Sequence, residues 1–211
     1  YHYRHKTYLQ IETQIKELLV KVGLNPPAQF LSKYPHMLSG GQRQRILMAR
    51  AISLDPALIV ADEPVSMIDV SMRLSILNLM SELNQSDNIS FVYITHDLAT
   101  ARYIAQNGRI VVMYLGEVVE EGKIDEVIAN PCHPYTQALI ATVPTPDPKI
   151  ARIKKEIPIK SMDLGSLENR DEGCVFFDRC PYASSECKAK IDYLKIGDTK
   201  VKCIKAKELN K

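Results

Sequence analysis

Apolar residues along the first half of the chain alternate between two periods. Ile11, Ile15, Leu18, Leu19 and Val22 recur at helical spacing, and Gly23 followed by Pro26-Pro27 predicts the stop. Ser39-Gly40-Gly41-Gln42 opens a second predicted helix that runs to about Leu54, where Asp55-Pro56 ends it. Ala57-Leu58-Ile59-Val60-Ala61 is a short unbroken apolar run, the pattern of a strand buried on both faces. A helix is predicted from about Val70 to Leu83, a second strand over Ile89 to Ile94, and a helix over Asp97 to Gln106. Arg109 to Tyr114 and Glu117 to Val119 flank Leu115-Gly116 and predict a hairpin. Strand, helix, strand, helix at these lengths predicts an α/β layer with parallel central strands.

Composition changes this picture only at its far end. The 211 residues carry 45% apolar and 25% charged residues, ordinary values for a globular chain. The formal charge of +2 does not suggest a nucleic-acid binder. No apolar run approaches the roughly 18 residues of a membrane-spanning helix, and the polar start Tyr1-His2-Tyr3-Arg4 does not resemble a signal peptide. The absence of an initiator Met suggests a trimmed or fragmentary chain. Charge is uneven: residues 1–149 hold 13 Lys/Arg against 15 Asp/Glu, and residues 150–211 hold 14 against 10. Six of the 12 prolines fall between Pro131 and Pro158, which predicts an extended linker over roughly 143–160.

Three features carry candidate chemistry. Asp62 and Glu63 end the apolar strand, where α/β sheets bind ligands. A carboxylate there can hold Mg²⁺, and its neighbour can deprotonate a water that attacks a phosphate. Ser39-Gly40-Gly41 places free backbone N–H groups and two glycines at a helix N-terminus, a cradle for phosphate as well as an ordinary capped turn. His96 follows the second strand and is expected at the same sheet edge as Glu63.

Taken in order, Leu38 to Arg45 (LSGGQRQR), LIVADEP, Ser66-Met67-Ile68-Asp69 and Ile94-Thr95-His96-Asp97 resemble the ATP-binding subunits of ABC transporters. The resemblance implies that the signature loop, Ser39, Gly40, Gly41 and Gln42, meets the γ-phosphate of an ATP held mainly by an opposing subunit. It implies that Asp62 is the Walker B carboxylate serving Mg²⁺, Glu63 the catalytic base and His96 the switch histidine. Asp69 would end the loop that crosses the dimer interface. Met67-Ile68 departs from the more usual Ala-Leu of that loop. A G-x-x-x-x-G-K-[ST] loop, which would cradle the β- and γ-phosphates, is absent. Gly116 to Gly122-Lys123 has five intervening residues and is followed by Ile124, so it does not qualify. Tyr1, Tyr3 and Tyr8 lie too near the signature loop to stack on adenine. The resemblance thus begins partway through the helical subdomain of a partial P-loop NTPase domain, and this chain alone is expected to bind ATP poorly and hydrolyse it negligibly.

The remainder narrows the family. Met113-Tyr114-Leu115-Gly116, Asn130-Pro131-Cys132-His133-Pro134-Tyr135-Thr136-Gln137 and Val143-Pro144-Thr145-Pro146 resemble the dipeptide and oligopeptide importers, whose ATP-binding subunits carry a His-Pro-Tyr extension. Residues 133–142 are expected to form a short packed helix, with His133 capping or packing beside Pro134. Cys174, Cys180, Cys187 and Cys203 crowd into one small region, which needs a staple because so short a module buries little apolar surface. Their spacing lacks the C-x₂₋₄-C pairs of a zinc ribbon. An iron–sulfur cluster, disulfides, zinc and free thiols all stay open on spacing alone; the resemblance favours a [4Fe–4S] cluster, which some members of the family hold. Cys132 stands apart as a buried free thiol.

The expected division is residues 1–130 as the latter part of a nucleotide-binding domain, 131–160 as the His-Pro-Tyr segment and linker, and 161–211 as a four-cysteine module. The expected function is that of an ATPase subunit of a peptide importer at the cytoplasmic face of the membrane. Its expected partners are a second ATPase subunit, transmembrane permeases and, indirectly, an extracytoplasmic solute-binding protein, with no nucleic acid. A non-transport ABC ATPase and a non-catalytic remnant that pairs with an intact subunit are the rival readings.

Overall fold

The computed structural model describes residues 7–66, 68–106, 108–143, 157–163 and 172–209. Most of the expected linker, together with Met67, Tyr1 and Tyr3, lies outside the described residues. The chain forms two compact units, Tyr1–His96 and Asp97–Lys211, so the expected boundaries at 130 and 160 both fall inside the second.

The first unit begins with α1 (Tyr8–Lys21), opened by a capping box between Thr7 and Gln10. It closes in a Schellman arrangement: the Gly23 N–H donates to the Val20 carbonyl and the Leu24 N–H to the Leu19 carbonyl. Leu19, Val22 and Leu24 are buried, while Ile15 is exposed, so only the C-terminal end of the predicted apolar stripe enters the core. After a short helix, α2 (Ala28–Leu31), α3 (Gly40–Ile52) buries Gly41, Met48, Ala49 and Ile52. α4 (Val70–Asp87) buries Ile76, Leu77, Leu79, Met80 and Leu83 and ends on Asn88 in a left-handed conformation. α3 packs between α1 and α4.

α4 is also the crossover joining β1 (Leu58–Asp62) to β2 (Ser90–Ile94), which pair in parallel from Leu58 opposite Ser90 to Asp62 opposite Ile94. The expectation of a strand buried on both faces fails. Ala61 is the only buried residue of β1, and Leu58 and Val60 are each more than half exposed. A two-stranded sheet covered by α4 leaves its other face open.

In the second unit, Asp97 caps α5 (Leu98–Ile104) by accepting from the Ala99 and Thr100 N–H groups. β3 (Arg109–Tyr114) and β4 (Glu117–Lys123) form the predicted hairpin. Its two turn residues, Leu115 and Gly116, both have positive φ. β4 runs four residues beyond its predicted end and leads into α6 (Ile124–Ala129), and α7 (Pro134–Thr142) follows. Two short strands from the far end of the chain, β5 (Leu194–Ile196) and β6 (Thr199–Val201), complete an antiparallel sheet in the order β3-β4-β6-β5. The unit's core gathers Val112, Tyr114, Val119, Val127, Phe176 and Cys180. Phe176 is its centre, edge-on to Tyr114 at 5.2 Å and within 5.5 Å of Tyr135. No helix among the described residues is long and apolar enough to cross a membrane.

Candidate functional site

The parallel strands bring their carboxyl ends together, and with them the residues expected to act on phosphate. Glu63 follows β1 with φ of +46°, an uncommon conformation for a non-glycine residue. Its N–H donates to the Ile94 carbonyl at 3.0 Å, which ties the first residue after β1 to the last of β2. The Ser66 N–H and hydroxyl both donate to the Glu63 carbonyl. So held, the Glu63 carboxylate accepts from the backbone N–H of His96 at 3.2 Å and lies 2.6 Å from its Nδ1. The rest of the imidazole is open, with the His96 side chain 83% exposed. Asp62 is exposed beside this pair, and its carboxylate has no hydrogen bond or ion pair among the described residues.

Ser39 caps α3 through a capping box: its hydroxyl accepts from the Gln42 N–H, and its own N–H donates to the Gln42 side chain. Gly40 is half-buried and Gly41 buried. A Cβ on Gly41 would lie 2.2 Å from the Met72 side chain, so the second glycine is required by the approach of α3 to the first turn of α4. Asp69 stands at the N-cap of that turn without a side-chain capping bond. Arg45 donates to the Val22 carbonyl and to the Ser75 hydroxyl, fixing α3 against α1 and α4. The structure therefore joins Glu63 to His96, and sets Gly41 against the helix that Asp69 begins. Among the described residues no hydrogen bond connects Ser39 or Gln42 with the Glu63–His96 pair.

The second unit holds a different kind of site. Cys174, Cys180, Cys187 and Cys203, more than 25 residues apart at their extremes, line one small pocket together with His133. Gly173 makes this convergence possible. A Cβ there would stand 2.4 Å from the Cys187 carbonyl oxygen and 2.6 Å from Lys188 backbone carbon, and the close approach lets the Cys174 N–H donate to the Cys187 carbonyl at 2.8 Å. None of the cysteines is disulfide-bonded. Burial, with the neighbouring thiols adding to it, pushes Cys203 up to about 12; burial pushes Cys180 up to about 11. No three His, Cys, Asp or Glu side chains among the described residues converge on a single ion. Cys132 is buried and not disulfide-bonded, as expected, but is not in the pocket lining.

His133 does cap: its Nδ1 accepts from the Tyr135 N–H at 3.1 Å as α7 begins. Burial alone pulls its pKa down to about 4. The residue that sequence reasoning missed is Glu120. Fully buried on β4, its two carboxylate oxygens accept from the Cys132 N–H at 2.7 Å and the His133 N–H at 2.9 Å. Burial raises its pKa despite those bonds. Its signal was an acid at an inward position of a strand, between Val119 and the tightly packed Gly122.

Comparison with known proteins matches both regions. Residues 2–66 match the family described as ABC transporter, and residues 119–187 the family described as oligopeptide/dipeptide transporter, C-terminal region. The oligopeptide transport ATP-binding protein OppF of Salmonella typhimurium is 47% identical over 84% of this chain and 52% of its own length. AppF of Bacillus subtilis, also an oligopeptide transport ATP-binding protein, is 45% identical over 90% and 57%. The di/tripeptide transport ATP-binding protein DppF of Pseudomonas aeruginosa is 42% identical over 88% and 55%. The chain thus spans about half the length of the curated relatives it matches. Among solved structures, the ADP conformation of MJ1267, an ATP-binding cassette of an ABC transporter, superimposes with a TM-score of 0.50 at 27% identity, covering 60% of this chain and 48% of that one.

Proposed function

The chain belongs to the family of ATP-binding subunits of oligopeptide and dipeptide ABC transporters, and from that premise we propose that it supplies the signature-loop, Walker B and switch-histidine part of an ATPase that drives peptide uptake. The observation that carries this reading is the Glu63–His96 pair at the carboxyl edge of the parallel strands. Glu63 is the base: fixed by His96 and by its own backbone bonds, its carboxylate points one oxygen at the imidazole and leaves the other for a water attacking the γ-phosphate. With Nδ1 engaged by Glu63, His96 reaches the phosphate through Nε2. Mg²⁺ would neutralise charge on the phosphate oxygens, and the unpartnered, exposed carboxylate of Asp62 fits a ligand that holds it directly or through water. Ser39, Gly40, Gly41 and Gln42 would present the α3 N-terminus to a nucleotide held by a second subunit, with Asp69 at the crossing between subunits.

The same reading makes residues to about 130 the latter portion of a nucleotide-binding domain and those beyond it a His-Pro-Tyr and four-cysteine extension. Permease subunits would be its membrane partners, at the cytoplasmic face. We further infer that the extension holds a [4Fe–4S] cluster. Support comes from four unbridged thiols that line one small pocket, since a [4Fe–4S] cluster takes four thiolates.

In a subunit that unites this chain with a G-x-x-x-x-G-K-[ST] loop, Glu63→Gln should lower phosphate release by about 10²- to 10⁴-fold while ATP binding persists. Undiminished release would sink the assignment.

A further inference from the structure

The cysteine pocket contains a hydrogen-bond donor that no group among the described residues satisfies. His133 is fully buried and lines the pocket, and its Nε2 has no hydrogen-bond partner among the described residues. The other ring nitrogen determines what Nε2 carries. Nδ1 accepts from the Tyr135 N–H, so it holds a lone pair and no proton. The neutral ring's single proton therefore sits on Nε2, which is an N–H donor and has no lone pair to give a metal. A buried donor without an acceptor is destabilising, and buried polar groups are seldom left so in a folded chain.

The rest of the lining narrows what can accept that proton. Pro134, Phe177, Ala183 and Ile191 are apolar, and Lys205 is a cation that cannot accept. The side-chain acceptors in the lining are the four cysteine sulfurs and the hydroxyl of Tyr182, which is 40% exposed and does not bond Nε2. Nor is the histidine free to turn. Its backbone N–H is clamped by Glu120, its ring caps α7, and Phe176 packs 6.0 Å away from it. The imidazole is thus oriented before anything binds.

We propose that His133 donates its Nε2–H to a sulfur of the group held by Cys174, Cys180, Cys187 and Cys203, as a positioning and tuning residue and not as a ligand. The proposal rests on the cluster reading of the pocket. Four thiolates bring more negative charge into an apolar site than the irons offset, and an N–H aimed at sulfur stabilises the reduced, more negative state. Hydrogen bonds to cluster sulfurs raise the reduction potential.

The test uses the full chain, reconstituted with iron and sulfide without oxygen, and two variants. His133→Asn keeps an oxygen able to cap Tyr135 but is too short to reach the pocket. His133→Phe keeps the ring volume without the donor, and carries the test if the first variant does not fold. The wild type should bind about four irons and four sulfides. The variants should keep that content, show a more negative midpoint potential and altered electron paramagnetic resonance of the reduced state. Potential and spectrum unchanged from wild type would overturn the donor role while leaving the cluster in place. Loss of iron from a folded His133→Asn protein would make the residue a ligand and overturn it too. A wild type that takes up no iron would defeat the cluster reading itself, and the proposal with it.

Discussion

Two histidines in this chain show how differently its two units use the same side chain. His96 stands almost wholly in solvent beside Glu63, with one nitrogen engaged by a carboxylate and the rest of the ring open to solvent. His133 is sealed inside the second unit, one nitrogen used as a helix cap and the other directed into a pocket of cysteines. The first, in the role proposed for it, would meet a transient substrate, so exposure serves it. The second is held neutral by burial, and with its Nδ1 already accepting from the Tyr135 N–H only its Nε2 is left, as a donor. The difference lies in the surroundings: an open strand edge in one unit, and a core gathered around Phe176 in the other.

The largest expected effect breaks the open site. In a subunit competent to hold nucleotide, Glu63→Gln should lower single-turnover phosphate release by about 10²- to 10⁴-fold, the range for loss of a general base. His96→Ala should lower it too. If the two work as a unit, the double variant should fall little below Glu63→Gln alone. A multiplicative loss would mean that the two residues act independently, and would break the pairing on which the comparison stands.

The next effect falls on the sealed unit. Glu120→Ala leaves the Cys132 and His133 N–H groups buried without acceptors, at about 1–3 kcal/mol each. The denaturation midpoint of the second unit should fall accordingly, while Glu120→Gln, which keeps one acceptor, should lose less. An Ala variant as stable as the wild type would show that this carboxylate is dispensable to the His-Pro-Tyr turn. Gly173→Ala is smaller and more local. The added methyl meets backbone at Cys187 and Lys188, and relieving that contact costs about 1–3 kcal/mol. Thiol-reactive reagent should then modify Cys174 and Cys187 faster than in the wild type. Unchanged rates would place the convergence of the cysteines elsewhere than in this close approach.

How much of this was legible beforehand follows the same division. In the first unit the spacing of apolar residues marked α1, α3, β1, α4 and β2 in order, and it set His96 on the same edge as Glu63, because each element is declared by neighbours three, four or two positions away. What misled was burial: an unbroken apolar run looks like a covered strand, yet Leu58 and Val60 are exposed because one partner strand and one helix cover a single face. In the second unit the hairpin and α7 were readable, the rest less so. β5 and β6 are three residues each, and Val201 pairs with Glu120 across some eighty positions. No local period encodes such a pairing. Glu120 went unnoticed for the same reason, since its role depends on a turn that comes twelve residues later.

The smallest effect compares two carboxylates whose environments push them in opposite directions. Asp87 accepts from Lys21 where α1 and α4 end, and this bond holds its pKa below the ordinary 3.8. A lowered carboxylate contributes stability that is complete above its unfolded pKa and is lost as pH falls through the folded one. Lys21→Met should therefore lower the stability of the first unit at neutrality by under about 1 kcal/mol, as for a partly exposed pair, and leave it unchanged well below pH 3.8, so that part of the acid sensitivity disappears. Glu120 behaves in the reverse sense. Burial raises its pKa above the ordinary 4.5, so the folded state binds the extra proton, and stability is lost as pH rises from 4.5 through the raised value. Glu120→Gln should flatten that decline in the second unit and leave the first unit's acid limb untouched. Hydrogen exchange followed by amide across pH 3 to 7 separates the two, because each unit reports its own opening. Parallel slopes in the two units would mean that they unfold as one, and the contrast between an open and a sealed half would then hold for the sites but not for the stability of the regions that carry them.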